Sequence, residues 1–193
     1  MKIGAVVLAA GGARRFGSPK QLPEIEGETL VDRACRTALE AGCAPVLRVL
    51  GAHAEKILER ACPAGTGTFV HSRWDEGMGS TLAAGTSRLL ELEPELDAIL
   101  VLLADQPVVT VGLLKELEAG LPQATVVWCR HADINGPPAL FSREHFDELR
   151  NLQGDRGAKA IAAKHAAATV LFPDAGWDID SPETWQRFLA SRR

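Results

Sequence analysis

The stretch Ile3-Gly4-Ala5-Val6-Val7-Leu8-Ala9-Ala10-Gly11-Gly12-Ala13-Arg14-Arg15-Phe16-Gly17-Ser18-Pro19-Lys20 decides how the rest of the chain is read. Residues 3–10 are apolar without alternation, so they read as a strand buried on both faces. Glycines and three cations follow at once. Glycines let backbone N–H groups approach an anion closely, and Arg and Lys neutralise it. A solvated turn is the competing reading, and the coincidence of Gly, Arg and Lys directly after a core strand counts against it. Met1-Lys2 before the apolar run superficially resembles a signal peptide. The run is short for one, and Arg14-Arg15 follow almost immediately, so a buried strand explains it better.

Outward from this strand, apolar runs alternate with amphipathic patterns. Leu30, Ala34, Ala38 and Ala41 predict a helix over 29–41, stopped by Gly42. Strands are expected at 45–50, 68–71, 98–103 and 125–129, and helices at 53–61, 79–92 and 111–121, the last capped by Thr110. Beyond residue 130 the pattern loosens. Asn135-Gly136-Pro137-Pro138 reads as a turn, 139–141 as a short strand, and Ser142 as the cap of a helix to Leu149. A helix at 158–165, short strands at 169–172 and 177–179, and a last helix opened by Ser181-Pro182-Glu183 complete the reading. Repeated strand–helix units predict a single α/β domain over residues 1–193 with a mostly parallel sheet. In such sheets ligands sit at the carboxyl ends of the strands. Residues after 3–10, after 98–103, and at the opening of helix 79–92 should therefore face one cleft.

Composition narrows the function classes. The chain has 193 residues, 46% hydrophobic and 24% charged, which excludes disordered, collagen-like and coiled-coil classes. Its net charge of −4, from 21 basic and 25 acidic side chains, argues against a nucleic-acid partner. The longest apolar run falls far short of the roughly 20 residues of a membrane span. Cys35, Cys43, Cys62 and Cys129 form no CxxC pair and no zinc spacing, as expected of reduced thiols in a cytoplasmic protein. His71, His131 and His145 stand isolated and read as structural histidines.

Two common phosphate motifs fail. Gly12 and Gly17 have P-loop spacing, but Ser18 stands where Lys is required. Gly77-Met78-Gly79 opens a GxGxxG, but Leu82 replaces the third glycine. Other segments carry chemistry. Asp105, after the most apolar strand, suits Mg²⁺, which takes one or two carboxylates plus substrate phosphates. Asp178 and Asp180, two apart in an expected strand, would share a face and a cation. Gly77, Gly79 and Ser80 leave backbone room for a ligand at a helix N-terminus. Gly154-Asp155-Arg156-Gly157-Ala158-Lys159, with Asn135-Gly136-Pro137, are candidates for an acceptor site. Each segment also has a plain turn or cap reading, and their joint occurrence favours the chemical one.

Together these segments resemble the nucleotidyltransferases that include molybdenum-cofactor cytidylyltransferases and guanylyltransferases. The family signature, LAAG or LAGG followed by x-S-x-R-[MF]-G-x-x-K, reads here Leu8-Ala9-Ala10-Gly11, Gly12, Ala13, Arg14, Arg15, Phe16, Gly17, Ser18, Pro19, Lys20, with Ala13 in place of Ser. The resemblance spans residues 3 to about 189. It implies a Rossmann-like three-layer α/β/α sandwich of the nucleotide-diphospho-sugar transferase type. It implies that Leu8, Ala9, Ala10, Gly11, Gly12, Gly77, Gly79 and Ser80 border a nucleoside triphosphate, and that Arg15 and Lys20 hold its phosphates. Asp105 would bind Mg²⁺, with Asp180 or Asp178 as second carboxylate. The reaction implied is NMP transfer to a phosphorylated small-molecule acceptor such as molybdopterin, with a molybdoenzyme-maturation protein as a further partner. Ala9-Ala10-Gly11 matches the cytosine-using pattern, Ala-Gly-Gly the guanine-using one, so CTP is favoured over GTP. Transfer to a sugar phosphate or another alcohol phosphate, and a non-catalytic nucleotide-binding regulator, are the alternatives.

Overall fold

The computed structural model describes residues 1–12, 16, 19–131, 134–155, 157–165 and 167–192. Its centre is β1 (Ile3–Ala9), every residue of which is buried. Parallel neighbours flank it on both sides, β4 (Val46–Leu50) and β6 (Ala98–Leu103). Two small strands, β2 (Glu24–Ile25) and β3 (Glu28–Thr29), form a separate hairpin. With β5 (Thr66–Val70), β7 (Val126–His131), β8 (Ile134–Ser142) and β9 (Ala167–Leu171), the main sheet has seven strands in the order β5-β4-β1-β6-β8-β7-β9. Only β8 runs antiparallel to its neighbours.

Period-two alternation along β1 splits the core into two layers. Ala5, Val7 and Ala9 pack with Val31, Cys35 and Ala38 of α1 (Leu30–Glu40) and Leu113, Leu114 and Leu117 of α4 (Val111–Gly120). Val6 and Leu8 face the other way, onto Leu82 and Leu89 of α3 (Met78–Leu92). Phe146 and Leu149 of α5 (Phe146–Arg150) and Ile161 of α6 (Lys159–Ala162) join that second layer. The expected three-layer α/β/α sandwich with a mostly parallel sheet is the observed fold. The short α2 (Ala54–Leu58) follows β4. The last helix, α7 (Pro182–Ser191), buries Phe188 against Ile25, Leu30 and Ile179 in a third, smaller cluster. Thr110 and Ser181 cap their helices as the sequence suggests, accepting from the amides of Leu113 and Thr184, and Thr29, expected inside its helix, accepts from that of Asp32.

Four expectations from the looser C-terminal region are corrected. Asn135-Gly136-Pro137-Pro138 is not a turn but lies within β8. The register passes from Trp128↔Ala139 to Cys129↔Gly136, so Pro137 and Pro138 sit in a bulge where the ladder asks for no N–H. Ser142 caps no helix; it ends β8, its amide donating to the Thr125 carbonyl at 2.9 Å. The helix expected to reach residue 165 stops at Ala162, where Lys164 N donates to Ile161 O and tightens the last turn. Residues 177–179 form no strand: Ile179 makes one backbone bond, donating to the Asp105 carbonyl at 2.9 Å, and is fully buried.

Candidate active site

The chain leaves β1 at its carboxyl end through a loop whose carbonyls are tied down one by one. Gln21 Nε2 donates to the Ala9 carbonyl (3.0 Å) and to that of Gly11 (3.1 Å). The Ala52 amide donates to Ala10 O at 3.1 Å, and His53 Nε2 lies 3.2 Å from Gly12 O. Carbonyls only accept, so the Gly12 contact places a proton on His53 Nε2. The Gly11 and Gly12 amides have no partner among the described residues, which leaves donors for an anion or a base edge. Trp74 closes the loop from above: a Cβ on Gly12 would come within 3.3 Å of its ring, and one on Gly51 within 2.6 Å of the Trp74 Cβ. Gln21 is a cleft residue that sequence reading missed, and Trp74 headed the candidate segment 74–82, which was singled out for its glycines. Nothing in a lone Gln or Trp marks a side chain that folds back onto a loop.

Lys20 points into this cleft between two carboxylates. Its Nζ donates to Asp105 Oδ2 at 2.5 Å and to Asp180 Oδ1 at 2.6 Å. Burial by itself lowers the ammonium pKa, but the charges and hydrogen bonds of Asp105 and Asp180 outweigh it and hold Lys20 above its ordinary value. The other carboxylate oxygen, Asp105 Oδ1, is buried with no hydrogen-bond partner among the described residues. A buried carboxylate oxygen without a donor fits a cation position. Asp178 stands on the far side. Gln106 Nε2 donates both to Asp178 Oδ1 and to the Pro137 carbonyl, each at 3.1 Å. Desolvation, and after it the negative charge of Asp105, push the Asp178 carboxyl up to about 6.

Two cavities meet here. The first, of about 440 Å³, is lined by residues 8–12, Lys20, Gln21, Trp74, Gly77, Thr81 and Asp105, among others. The second, of about 610 Å³, adjoins it through Met78, Leu103 and Asp155. Trp128, Cys129, Ala139 and Ala158 give the second cavity its apolar walls, while Gln106, His131, Lys159 and Asp178 are polar points on its rim. The ends of β1 and β6 and the start of α3 thus share one cleft, as expected. Gly136, Pro137, Asp155, Gly157, Ala158 and Lys159 gather in the second cavity, where an acceptor was expected.

Not every expected residue reaches the cleft. The Gly79 and Ser80 amides are taken by the Gly154 carbonyl, at 2.7 and 3.4 Å. Gly79 is buried, and Ser80 lines a separate depression, its hydroxyl donating to Glu76 Oε2 (3.0 Å) and 3.1 Å from His71 Nε2. Of that opening segment, Gly77, Met78 and Thr81 face the cleft instead. Asp178 and Asp180 do not share a strand face, because no strand forms there. Asp180 meets Lys20, whereas Asp178 turns to Gln106 and the second cavity. Arg15 and Arg14, with Ala13, Gly17, Ser18 and Arg156, lie outside the described residues.

Comparison with known proteins shows the family and the fold. Residues 5–169 match the model of a family described as "MobA-like NTP transferase domain". The chain is 40% identical over 198 residues to nicotine blue oxidoreductase of Paenarthrobacter nicotinovorans, covering 95% of each. It is 30% identical over 193 residues to purine catabolism protein PucB of Bacillus subtilis, covering 93% of this chain and 92% of that one. A probable molybdenum cofactor guanylyltransferase of Opitutus terrae is 29% identical over 144 residues, 72% of this chain and 65% of its own. The crystal structure of Rv0371c from Mycobacterium tuberculosis superimposes with a TM-score of 0.85 at 29% identity, covering 98% and 99% of the two chains. The same protein has been crystallised in complex with manganese. No described helix is long and apolar enough to cross a membrane.

Proposed function

The chain belongs to the MobA-like NTP transferase family and is a nucleotidyltransferase, and from that premise we propose that it transfers CMP from CTP to a phosphorylated, ring-bearing acceptor of the molybdopterin type, releasing pyrophosphate. The observation that carries this reading is the junction of the two cavities. A glycine loop, Lys20 and an oxygen of Asp105 that has no donor among the described residues stand on one side, and an apolar chamber stands on the other.

The roles follow from charge. Gly11 and Gly12 donate amides to the nucleotide, and Lys20 (with Arg15) neutralises the charge that grows on departing pyrophosphate. Asp105 and Asp180 are the residues that would hold Mg²⁺. When bound, such an ion neutralises phosphate charge and fixes the α-phosphate for attack. Gln106 holds Asp178 and the Pro137 carbonyl in place on the wall of the second cavity. An acceptor phosphate is already ionised, so no protein base is needed to activate it. For the base, the buried methyl of Ala10 and the Trp74 ring over Gly12 narrow the slot and favour a pyrimidine.

The test is pyrophosphate release with CTP, GTP, UTP and ATP, each with Mg²⁺ and molybdopterin, and a sugar phosphate in parallel. Turnover greatest with CTP and molybdopterin is expected. Turnover greatest with GTP overturns the base assignment, and turnover with the sugar phosphate alone overturns the acceptor. A parallel assay for oxidation or reduction of nicotine blue examines the activity named for the Paenarthrobacter relative. Oxidation without any pyrophosphate release would replace the transferase reading altogether.

A further inference from the structure

Away from both cavities, two histidines and a glutamate converge on one point. His145 closes the single turn Arg143–His145, Glu148 lies three residues later on α5, and His165 stands in the loop after α6. One ligand atom from each lies within 4.8 Å of the other two. His145 Nδ1 is 3.3 Å, and His165 Nε2 2.7 Å, from the same oxygen, Glu148 Oε1. The two imidazole centroids are 4.4 Å apart. The His145 side chain is only 2% exposed, while those of Glu148 and His165 retain 33% and 35%. One member is therefore anchored in the core, and the other two are reachable from solvent.

His145 is held in a fixed orientation. Its ring packs edge-on to Phe141, and its Nε2 lies 2.8 Å from Thr125 Oγ1. In one tautomer the Thr125 hydroxyl donates to Nε2 and Nδ1–H donates to Glu148 Oε1; in the other, the one a metal ligand needs, Nε2–H donates to the hydroxyl and the Nδ1 lone pair faces a carboxylate oxygen. That arrangement is repulsive unless a proton or a cation lies between them. An imidazole whose outer nitrogen is tied to an oxygen acceptor is the usual arrangement of a metal-ligating histidine. The spacing also fits. Bonds of about 2.0–2.2 Å in a tetrahedral site put neighbouring ligand atoms roughly 3.3 Å apart; His145 Nδ1 and Glu148 Oε1 are already at 3.3 Å, while His165 Nε2 must draw back from its 2.7 Å contact with Glu148 Oε1.

We propose that His145, Glu148 and His165 form a binding site for a divalent transition ion of the zinc type, distinct from the Asp105 centre. Imidazole nitrogens suit zinc and its neighbours, whereas Mg²⁺ demands oxygen. Three protein ligands leave the fourth position to water. Lys164 Nζ, 3.6 Å from Glu148 Oε2, balances the carboxylate on its other oxygen and is the cation that the ion must compete with. Occupancy ties the loop after α6 to α5. Because Lys159 and Ala160 of α6 line the apolar cavity, the ion braces one wall of the acceptor chamber. The site stands independently of which nucleotide or acceptor is used.

The experiment is titration of the chelator-treated full chain with Zn²⁺ against a chromophoric competitor, and with Co²⁺ read by visible absorption. Wild type is compared with Asp105→Asn, His165→Ala and Glu148→Gln; His165 and Glu148 are chosen because neither is a core residue. One equivalent bound by wild type and by Asp105→Asn is expected, with a tetrahedral Co²⁺ spectrum and a raised Tm. Affinity should fall by more than about tenfold in His165→Ala and in Glu148→Gln. No uptake by the wild type overturns the proposal. So does uptake that survives in His165→Ala but disappears in Asp105→Asn.

Discussion

Asp105 carries more of the site than any other side chain. One of its oxygens holds Lys20, the other is buried without a donor among the described residues, and its backbone carbonyl receives the Ile179 amide. Asp105→Asn keeps the shape and removes the charge. Turnover is expected to fall at least about 100-fold, roughly 2.7 kcal/mol of transition-state stabilisation, with the fold intact by circular dichroism. Near-normal pyrophosphate release in saturating Mg²⁺ would remove Asp105 from the reaction. Lys20→Ala and Arg15→Ala should each lower kcat/KM by more than about tenfold, or 1.4 kcal/mol, and Arg14→Ala much less. The reverse pattern in steady-state kinetics would reassign the loop. Asp178 supplies a pH dependence. Its carboxyl titrates near 6 in the folded protein against 3.8 ordinarily. The folded state therefore holds the proton more tightly, and this residue's contribution to stability falls as pH rises from about 4 to about 6. Asp178→Asn should flatten denaturation midpoints across that interval in metal-free buffer. An unchanged slope would mean that Asp178 ionises freely.

At the scale of elements, the start of α3 is built around the contact with residues 154–155. Gly77 has φ +117, and a Cβ there would lie 2.5 Å from both Asp155 Oδ1 and Gly154 C. The same contact delivers the Gly154 carbonyl to the Gly79 and Ser80 amides. Those two amides, expected to meet a ligand, instead tie the start of α3 to residue 154. Gly77→Ala combines backbone strain with a clash, so a loss of about 1–3 kcal/mol is expected by denaturant titration. KM for both substrates should rise with it, because Met78 and Asp155 line both cavities. A stable variant with unchanged KM would show that the contact is dispensable. The last helix has a comparable role. Phe188 packs on Ile179 between Asp178 and Asp180, so α7 holds the acidic segment against the end of β6.

For the whole molecule, ligand affinity reads out as stability. A nucleotide that binds only the folded chain adds about 2.7 kcal/mol at one hundred times its Kd. For a chain of this size that is a rise of roughly 5–10 °C in Tm. CTP with Mg²⁺ should give the largest shift among the four triphosphates in a thermal melt. A larger shift with GTP would show that Gly12 and Trp74 leave room for a purine.

The sequence by itself determined the class of fold and the ingredients of the cleft. Unbroken apolar runs at 3–10 and 98–103 have one physical solution, burial between two helical layers, and that places Gly11, Gly12, Lys20 and Asp105 at the same edge of the sheet. Caps at Thr110 and Ser181 were legible because they depend on bonds within three residues. The tertiary structure decided whatever depends on distant partners. It decided that Pro137 and Pro138 occupy a bulge in a strand, because only the register against Trp128 and Cys129 shows where the ladder asks for no donor. It separated Asp180 from Asp178, since Lys20 and Gln106, far away in sequence, each claim one. It turned Ser80 away from the cleft and brought Gln21 and Trp74 onto the loop. It also joined His145, an isolated histidine in the sequence, to Glu148 and His165. Periodicity records which face of an element is buried; which groups meet across the fold depends on packing between elements, and no local spacing encodes that.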